Sequence, residues 1–184
     1  MIRAASPNDS KAIAPLLVMA MEELAAKYVN SRDPQKAIPL FEHFISIPNN
    51  QYSYENMKVY VQDDVVLGVI SGYDGGDFRK FRTSFIAYVE QHYGVDASGD
   101  DETQGGEYYI DALSVSKNLR GKGIGKKLIA ELIKEASLAG YKKIGLLVNL
   151  DNQHALRLYE DLTFKIVGEK TLLKERYHHM QFTV

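Results

Sequence analysis

Between a segment that reads as a strand and one that reads as a helix lies Leu119-Arg120-Gly121-Lys122-Gly123-Ile124-Gly125-Lys126-Lys127, a stretch suited to holding an anion. Three glycines at alternate positions let a backbone turn its N–H groups inward without Cβ clashes. The start of the following helix adds unpaired N–H groups and a partial positive charge, which favour a phosphate or pyrophosphate. Arg120, Lys122, Lys126 and Lys127 surround the loop with cations, and residues 117–143 hold eight Lys or Arg against two Glu. A solvated helix face would also account for that charge. Two other phosphate loops are excluded by the letters themselves. No Gly-Lys is followed by Ser or Thr, as a nucleotide P-loop requires, and the dinucleotide pattern G-x-G-x-x-G fails at Lys126 or at Leu128, depending on the glycine that begins it.

Arg120-x-x-Gly123-x-Gly125 resembles the R/Q-x-x-G-x-G/A motif of the GNAT superfamily of acyl-CoA-dependent N-acetyltransferases, whose loop binds the coenzyme A pyrophosphate. The likeness continues in Leu113-x-Val115 ahead of the loop and in Leu146-x-Val148-x-x-x-Asn152-x-x-Ala155-x-x-Leu158-Tyr159 with Phe164 behind it. Ile2-Arg3-x-Ala5-x-x-x-Asp9 is similar to the family's opening. The strongest part spans residues 107–165. The resemblance implies acetyl-CoA as cosubstrate, contacted by Leu113, Ser114, Val115, Arg120, Gly121, Lys122, Gly123, Ile124, Gly125, Lys126, Asn152 and Tyr159.

It also implies that the strand carrying Leu113, Ser114 and Val115 splays from its neighbour and offers main-chain groups to the pantetheine arm. A main-chain N–H near Val115 would stabilise the oxyanion, while the Leu and Val side chains pack in the core. Tyr159 matches the family tyrosine that protonates the departing thiolate, and a phenol with a pKa of about 10 keeps its proton at neutral pH. An aromatic core residue is the other reading. Asn152 is a cofactor contact, a helix N-cap, or both. An attacking ammonium with a pKa of about 10 must first lose a proton to a carboxylate. Glu107 and Asp111 are the candidates, with Glu22 and Glu23 behind them. The two-residue strand period sets Asp111 beside Tyr109, Leu113 and Val115, and turns Tyr108, Ile110 and Ala112 to the other face. An acid there is a base, an amine-binding anion or a surface residue. Thr163 stands where the family often has glycine, and a left-handed backbone at that position would strain it. His43, His92, His154, His178 and His179 show no metal-ligand spacing, so no metal is expected.

These groups need a scaffold, and periodicity supplies its outline. Ile2–Ala5 reads as a strand. Ile13, Leu16, Leu17, Ala20 and Leu24 form one long helix bent at Pro15, and residues 32–46 form a second. Met57–Gln62 and Val65–Tyr73 are strands joined by a tight turn at Asp63-Asp64. Phe78, Phe81, Phe85 and Val89 give a helix, followed by a mobile polar loop over 94–106. A strand at 108–116, the glycine loop, a helix ending at Gly140, a strand at 144–148, a helix at 152–161 and strands at 164–167 and 176–182 complete the chain. This order predicts an α/β fold, a single-domain three-layer sandwich over residues 1–184 with a mixed, mostly antiparallel sheet of six to seven strands.

Composition narrows the function. With 184 residues, 22 Lys and Arg against 24 Asp and Glu, and a net charge of −2, the chain lacks the basic excess of a nucleic-acid binder. No cysteine occurs, which excludes thiol nucleophiles and thiolate metal sites and suits a cytoplasmic protein. No stretch approaches the roughly 20 apolar residues of a membrane span. The expected activity is direct transfer of an acetyl group to a primary amine in a ternary complex. The acceptor would bind among the first two helices, the 48–56 loop and the 74–106 insertion, whose acids suit a small cationic amine or a protein amino group. The alternative is a non-catalytic acyl-CoA-binding module. The aromatic helix at 78–93 either forms a homodimer interface or covers the core.

Overall fold

The computed structural model describes residues 1–172 and 175–184. Its strands are β1 (Ile2–Ala4), β2 (Met57–Gln62), β3 (Val65–Asp74), β4 (Tyr108–Val115), β5 (Lys143–Asn149), β6 (Lys165–Leu172) and β7 (Glu175–Thr183). They form one sheet in the order β1-β2-β3-β4-β5-β7-β6, antiparallel throughout except for the parallel β4–β5 pair. β2 buries Met57, Val59 and Val61 at alternate positions, and Asp63 and Asp64, at φ +51° and +60°, make the left-handed turn that matches strand twist in a hairpin.

One sheet face carries α1 (Ser10–Ala20), α2 (Glu22–Tyr28), α3 (Ile38–Ser46) and α4 (Phe78–Tyr93), which meet Val59, Val69 and Ala112. Phe85 is the hub of this layer, with the Tyr28, Phe44 and Tyr52 rings 4.8–5.0 Å away. The other face carries α5 (Ile124–Leu138) and α6 (Gln153–Asp161), whose Leu128, Leu132 and Tyr159 pack on Ile70, Ile110, Ile144 and Leu146. This is the expected three-layer sandwich. Arg3 fastens β1 to the start of α1 by donating at 2.8 Å to both carboxylate oxygens of Asp9, which holds the Asp9 pKa down to about 2. No helix among the described residues is long and apolar enough to cross a membrane.

Three expectations need correction. Pro15 sits inside α1, and the helix breaks instead at Met21, at φ −139° and ψ 47°. Glu22 and Glu23 then open α2, the end of a helix at which negative charge is favourable. The second helix divides into a 3₁₀ turn at Pro34–Ala37 and α3. The largest difference lies in β4, where Ser71 faces Ala112 but Gly72 faces Ile110. Asp111 is therefore an extra residue, a β-bulge that shifts the strand's phase. Leu113 and Val115 turn to the α5–α6 layer with Tyr108 and Ile110, whereas Tyr109 packs with Tyr73 and Phe78. The predicted common face of Asp111, Leu113 and Val115 does not exist. Gly72 makes room for the bulge, since a Cβ there would lie 2.8 Å from Leu132 Cδ1 and 3.0 Å from the Tyr109 carbonyl.

Candidate active site

The bulge coincides with the end of the β4–β5 ladder. Among the described residues the two strands pair only at Tyr108–Ile144, Tyr109–Gly145 and Ile110–Leu146, then part, so residues 111–115 have no partner there on the β5 side. The glycine loop closes one end of this opening. Gly121 and Gly123 stand at φ +78° and +77°, a left-handed backbone that admits glycine freely, and Gly123 caps α5. Gly125 is ordinary helix, and a Cβ there would make normal contact, 3.7 Å from Leu113 Cδ2. The first backbone bond across the helix start runs from Lys127 N–H to the Gly123 carbonyl, so the preceding N–H groups are free to face an anion. Ile124 anchors the loop in the core. Lys126 Nζ reaches Asp161 of α6 at 3.1 Å, Arg120 Nε reaches the Val115 carbonyl at 3.4 Å, and Lys122 is exposed.

On the opposite wall, Asn152 caps α6, its side chain accepting the Ala155 N–H at 3.0 Å. Tyr159 follows two turns later, 8% exposed, with its ring edge-on to Phe164 at 5.6 Å. Burial pushes its pKa up to about 12, so the phenol holds its proton through the neutral range. Thr163 adopts φ +67°, the left-handed backbone that strains a β-branched residue.

A cleft of about 340 Å³ runs from Leu113, Val148, Asn152 and Tyr159 to an acidic end lined by Glu22, Glu23, Asp100, Glu102, Asp111 and Glu175. Asp111 projects from the bulge, hemmed in by protein. Burial, then the charge of Glu102, push its pKa up to about 8 against the opposing effects of Gln51 and Arg82. Gln51 Nε2 donates to its Oδ2 at 3.2 Å. Glu102 accepts from Arg82 Nη1 at 2.7 Å and from Tyr109 Oη at 3.1 Å.

The segment predicted as a mobile loop is a fastened strap. Arg82 Nη2 donates to the Ala97 carbonyl at 3.0 Å, Lys170 Nζ to the Glu102 carbonyl at 2.9 Å, and Arg79 pairs with Asp101 at 2.6 Å. Glu107 ends the strap and does not line the cleft. It is 2% exposed, and its carboxylate accepts from Thr103 at 2.8 Å, His179 Nε2 at 2.9 Å and Gln181 at 2.7 Å. Burial would raise its pKa, but these donors together hold it below the usual range. The structure thus brings Asp111, Tyr159, Asn152 and Leu113 to one cleft and sets Glu107 apart.

Gln51 and Arg82 escaped the sequence reading, and Glu102 was legible only as one of the acids of the insertion. Arg82 had a visible mark: with Phe78, Phe85 and Val89 it occupies the buried stripe of α4, where a cation needs a partner. Gly72, one of two glycines within β3, likewise marked the bulge.

Splayed strands beside a glycine loop at a helix start suit an extended, anion-ended ligand. Residues 17–164 match the model of the acetyltransferase (GNAT) family, and the chain belongs to that family of N-acetyltransferases. It is 30% identical over 142 residues to a spermine/spermidine N(1)-acetyltransferase of Bacillus subtilis (strain 168), covering 71% of this chain and 88% of the relative. An N-acetyltransferase from Staphylococcus aureus Mu50 is similar in structure, with a TM-score of 0.88 at 26% identity, covering 99% of this chain and 100% of that one. The fold is shared by a PaiA N-acetyltransferase from Thermoplasma acidophilum solved in complex with coenzyme A, with a TM-score of 0.60 at 15% identity and coverage of 100% and 98%.

Proposed function

We propose that this chain transfers the acetyl group of acetyl-CoA to a primary amine of a small polycation, of the polyamine class, within a ternary complex. The observation that carries this reading is the single cleft that joins the β4–β5 opening to an end lined by Glu22, Glu23, Asp100, Glu102, Asp111 and Glu175. A linear polycation suits such a wall, and the Bacillus relative is named for polyamine substrates.

The free N–H groups at the start of α5, with Arg120 and Lys122, hold the pyrophosphate, and the unpaired edge of β4 takes the pantetheine arm. Asp111 removes one proton from the acceptor ammonium and leaves a lone pair on nitrogen. The new C–N bond forms as the C–S bond breaks. Main-chain N–H groups beyond the bulge face the developing oxyanion. Tyr159 gives its proton to the departing thiolate, and the second nitrogen proton restores the phenol through solvent. The overall change is ammonium plus thioester to amide, thiol and one proton. Glu107, already satisfied by three donors, serves by tying the strap to β7.

Calorimetric titration with acetyl-CoA, paired with a thiol-release assay on di- and polyamines, tests this function. The wild type should bind at micromolar cofactor and release thiol with polyamines, and a folded G123E/G125E variant should do neither. Absence of binding at millimolar acetyl-CoA, or of thiol release with any amine, overturns the reading.

A further inference from the structure

Two carboxylates and one guanidinium meet at the bulge. Arg82 is 6% and Glu102 8% exposed, whereas Asp111 is half-buried, and all three line the cleft. The guanidinium is committed to Glu102. Its Nη1 donates to Glu102 Oε1 at 2.7 Å, its Nη2 to the Ala97 carbonyl at 3.0 Å, and its Cζ lies over the Phe78 ring, 5.3 Å from the centroid. Tyr109 Oη donates to the second Glu102 oxygen at 3.1 Å, and because Tyr109 stands two residues before Asp111 on β4, this bond draws the strap carboxylate towards the bulge. Lys170 Nζ, bonded to the Asp101 and Glu102 carbonyls at 3.3 and 2.9 Å, fixes the strap at that point.

Asp111 is left with weaker company. Arg82 makes its ion pair with Glu102, and what reaches Asp111 Oδ2 is the neutral amide of Gln51 at 3.2 Å. The phenols around it, Tyr28 of α2, Tyr52 of the 48–56 loop, Tyr73 of β3 and Tyr109 of β4, are kept uncharged by burial, which raises each of them above the usual tyrosine value. Of the remaining charges on the cleft wall, Glu22, Glu23, Lys27 and Asp100 are exposed and Glu175 half-buried, so water screens them. The nest therefore sets two acids against one base. An uncompensated charge is costly where protein replaces water, so with Asp111 ionised the nest is one cation short. A proton on Asp111 supplies the missing charge, and so does an ammonium.

Resting on the amine-transfer reading above, we propose that Glu102 is a positioning residue that acts through Asp111: paired with Arg82 and Tyr109, it keeps the nest one cation short, so that an acceptor ammonium enters beside Asp111 in exchange for one proton. The exchange balances, since protonated acid plus ammonium gives carboxylate, bound ammonium and one proton in solution. Asp111 thus becomes the carboxylate that the transfer step needs at the moment an amine arrives. A neutral alcohol of the same shape brings no charge and leaves the proton in place, so the nest favours amines over alcohols.

The full chain is titrated calorimetrically with putrescine, whose two amines are ammonium at neutral pH, with coenzyme A present so that no transfer occurs. The difference in heat between phosphate and Tris buffers counts the protons released. Because Asp111 has a pKa of about 8, the wild type should release close to one proton per amine at pH 7 and only a small fraction of one at pH 9. Glu102→Gln removes the second carboxylate and frees Arg82 for Asp111. It should release less than about half a proton at pH 7, and its rise of kcat/KM with pH should move down by about one unit or more. Acetyl-CoA KM should stay within about twofold, which a general loss of structure would not allow. Should Glu102→Gln fail to fold, Arg82→Met/Glu102→Met, which removes both charges together, decides; it should also lower the proton count, because the effect of Glu102 on Asp111 outweighs that of Arg82. A folded variant that releases as many protons as the wild type overturns the inference, as does wild-type binding at pH 7 without release. Either result leaves the transfer reading standing, which thiol release from acetyl-CoA with putrescine reads separately. A wild type that releases no thiol with any amine overturns the parent reading and this one with it.

Discussion

The two ends of the cleft are built by different means. The end proposed for the cosubstrate relies on main chain: left-handed Gly121 and Gly123, the free N–H groups opening α5, and the unpaired edge of β4. The proposed acceptor end relies on side chains from α2, the 48–56 loop, α4, the strap and β7, converging on a single bulged residue. Backbone suits a ligand whose shape never varies, whereas side chains can be exchanged to suit a different acceptor. The contrast recurs within four residues of chain. Glu107 and Asp111 are both carboxylates amid protein, yet Glu107 has three donors and a lowered pKa, and Asp111 has one donor and a pKa of about 8. A saturated carboxylate is a structural anion, and an unsaturated one can accept a proton.

Substitution can break this contrast. Asp111→Asn should reduce kcat/KM about 10²- to 10⁴-fold, the scale of a lost general base, with acetyl-CoA affinity unchanged. In the wild type kcat/KM should rise with pH through about 8, as Asp111 ionises, and the variant should lose that limb. Because the folded pKa lies above that of the unfolded chain, Asp111 favours the folded state at low pH, and this contribution fades as pH climbs towards 8. Thermal melts of wild type and Asp111→Asn across that window read the difference. Tyr159→Phe should slow turnover roughly 10- to 100-fold without abolishing it, since a coenzyme thiolate is already a tolerable leaving group.

Glu107→Gln sharpens the comparison from the other side. It should leave amine KM near its wild-type value and cost about 1–3 kcal/mol of stability, seen in denaturant melts. Glu107 is depressed, so its contribution is present above the usual glutamate pKa of about 4.3 and disappears as pH falls through the lower folded value. The deficit of the variant should therefore narrow in acid. Smallest of all, Thr163→Gly should stabilise the protein by about 1 kcal/mol, because glycine relieves the strain of φ +67° more than it adds chain entropy.

What could be read in advance follows from how locally it is encoded. The α4 helix, the Asp63-Asp64 turn, the left-handed Gly121 and Gly123 before a helix and the Asn152 cap each rest on residues within one or two turns of each other and stand as expected, whereas Gly125 joins the helix itself. The left-handed backbone at Thr163 was expected for another reason, the glycine that stands there in the family the chain resembles. The bulge was not, because the phase of β4 is set by what Gly72 on the neighbouring strand permits. The helix breaks at Met21, six residues after Pro15, where no glycine or proline marks the sequence. The Arg82–Glu102 pair joins residues 20 positions apart and turned a stretch that looked like solvated loop into a strap. Acids in sequence look alike, and only their neighbours in three dimensions separate them: three donors around Glu107, and a second carboxylate, Glu102, beside Asp111.

The bulge at Asp111 makes position and identity separable under mutation. Exchange of the letter alters the chemistry and leaves the reading frame of the strand untouched. Deletion of the codon would instead remove the bulge and leave an even ladder, with Ser71 still facing Ala112, Gly72 still facing Ile110, and Ile110, Leu113 and Val115 still on one face of the sheet. The two cores therefore do not depend on Asp111 for their register, and the extra residue serves only to present its side chain to the cleft.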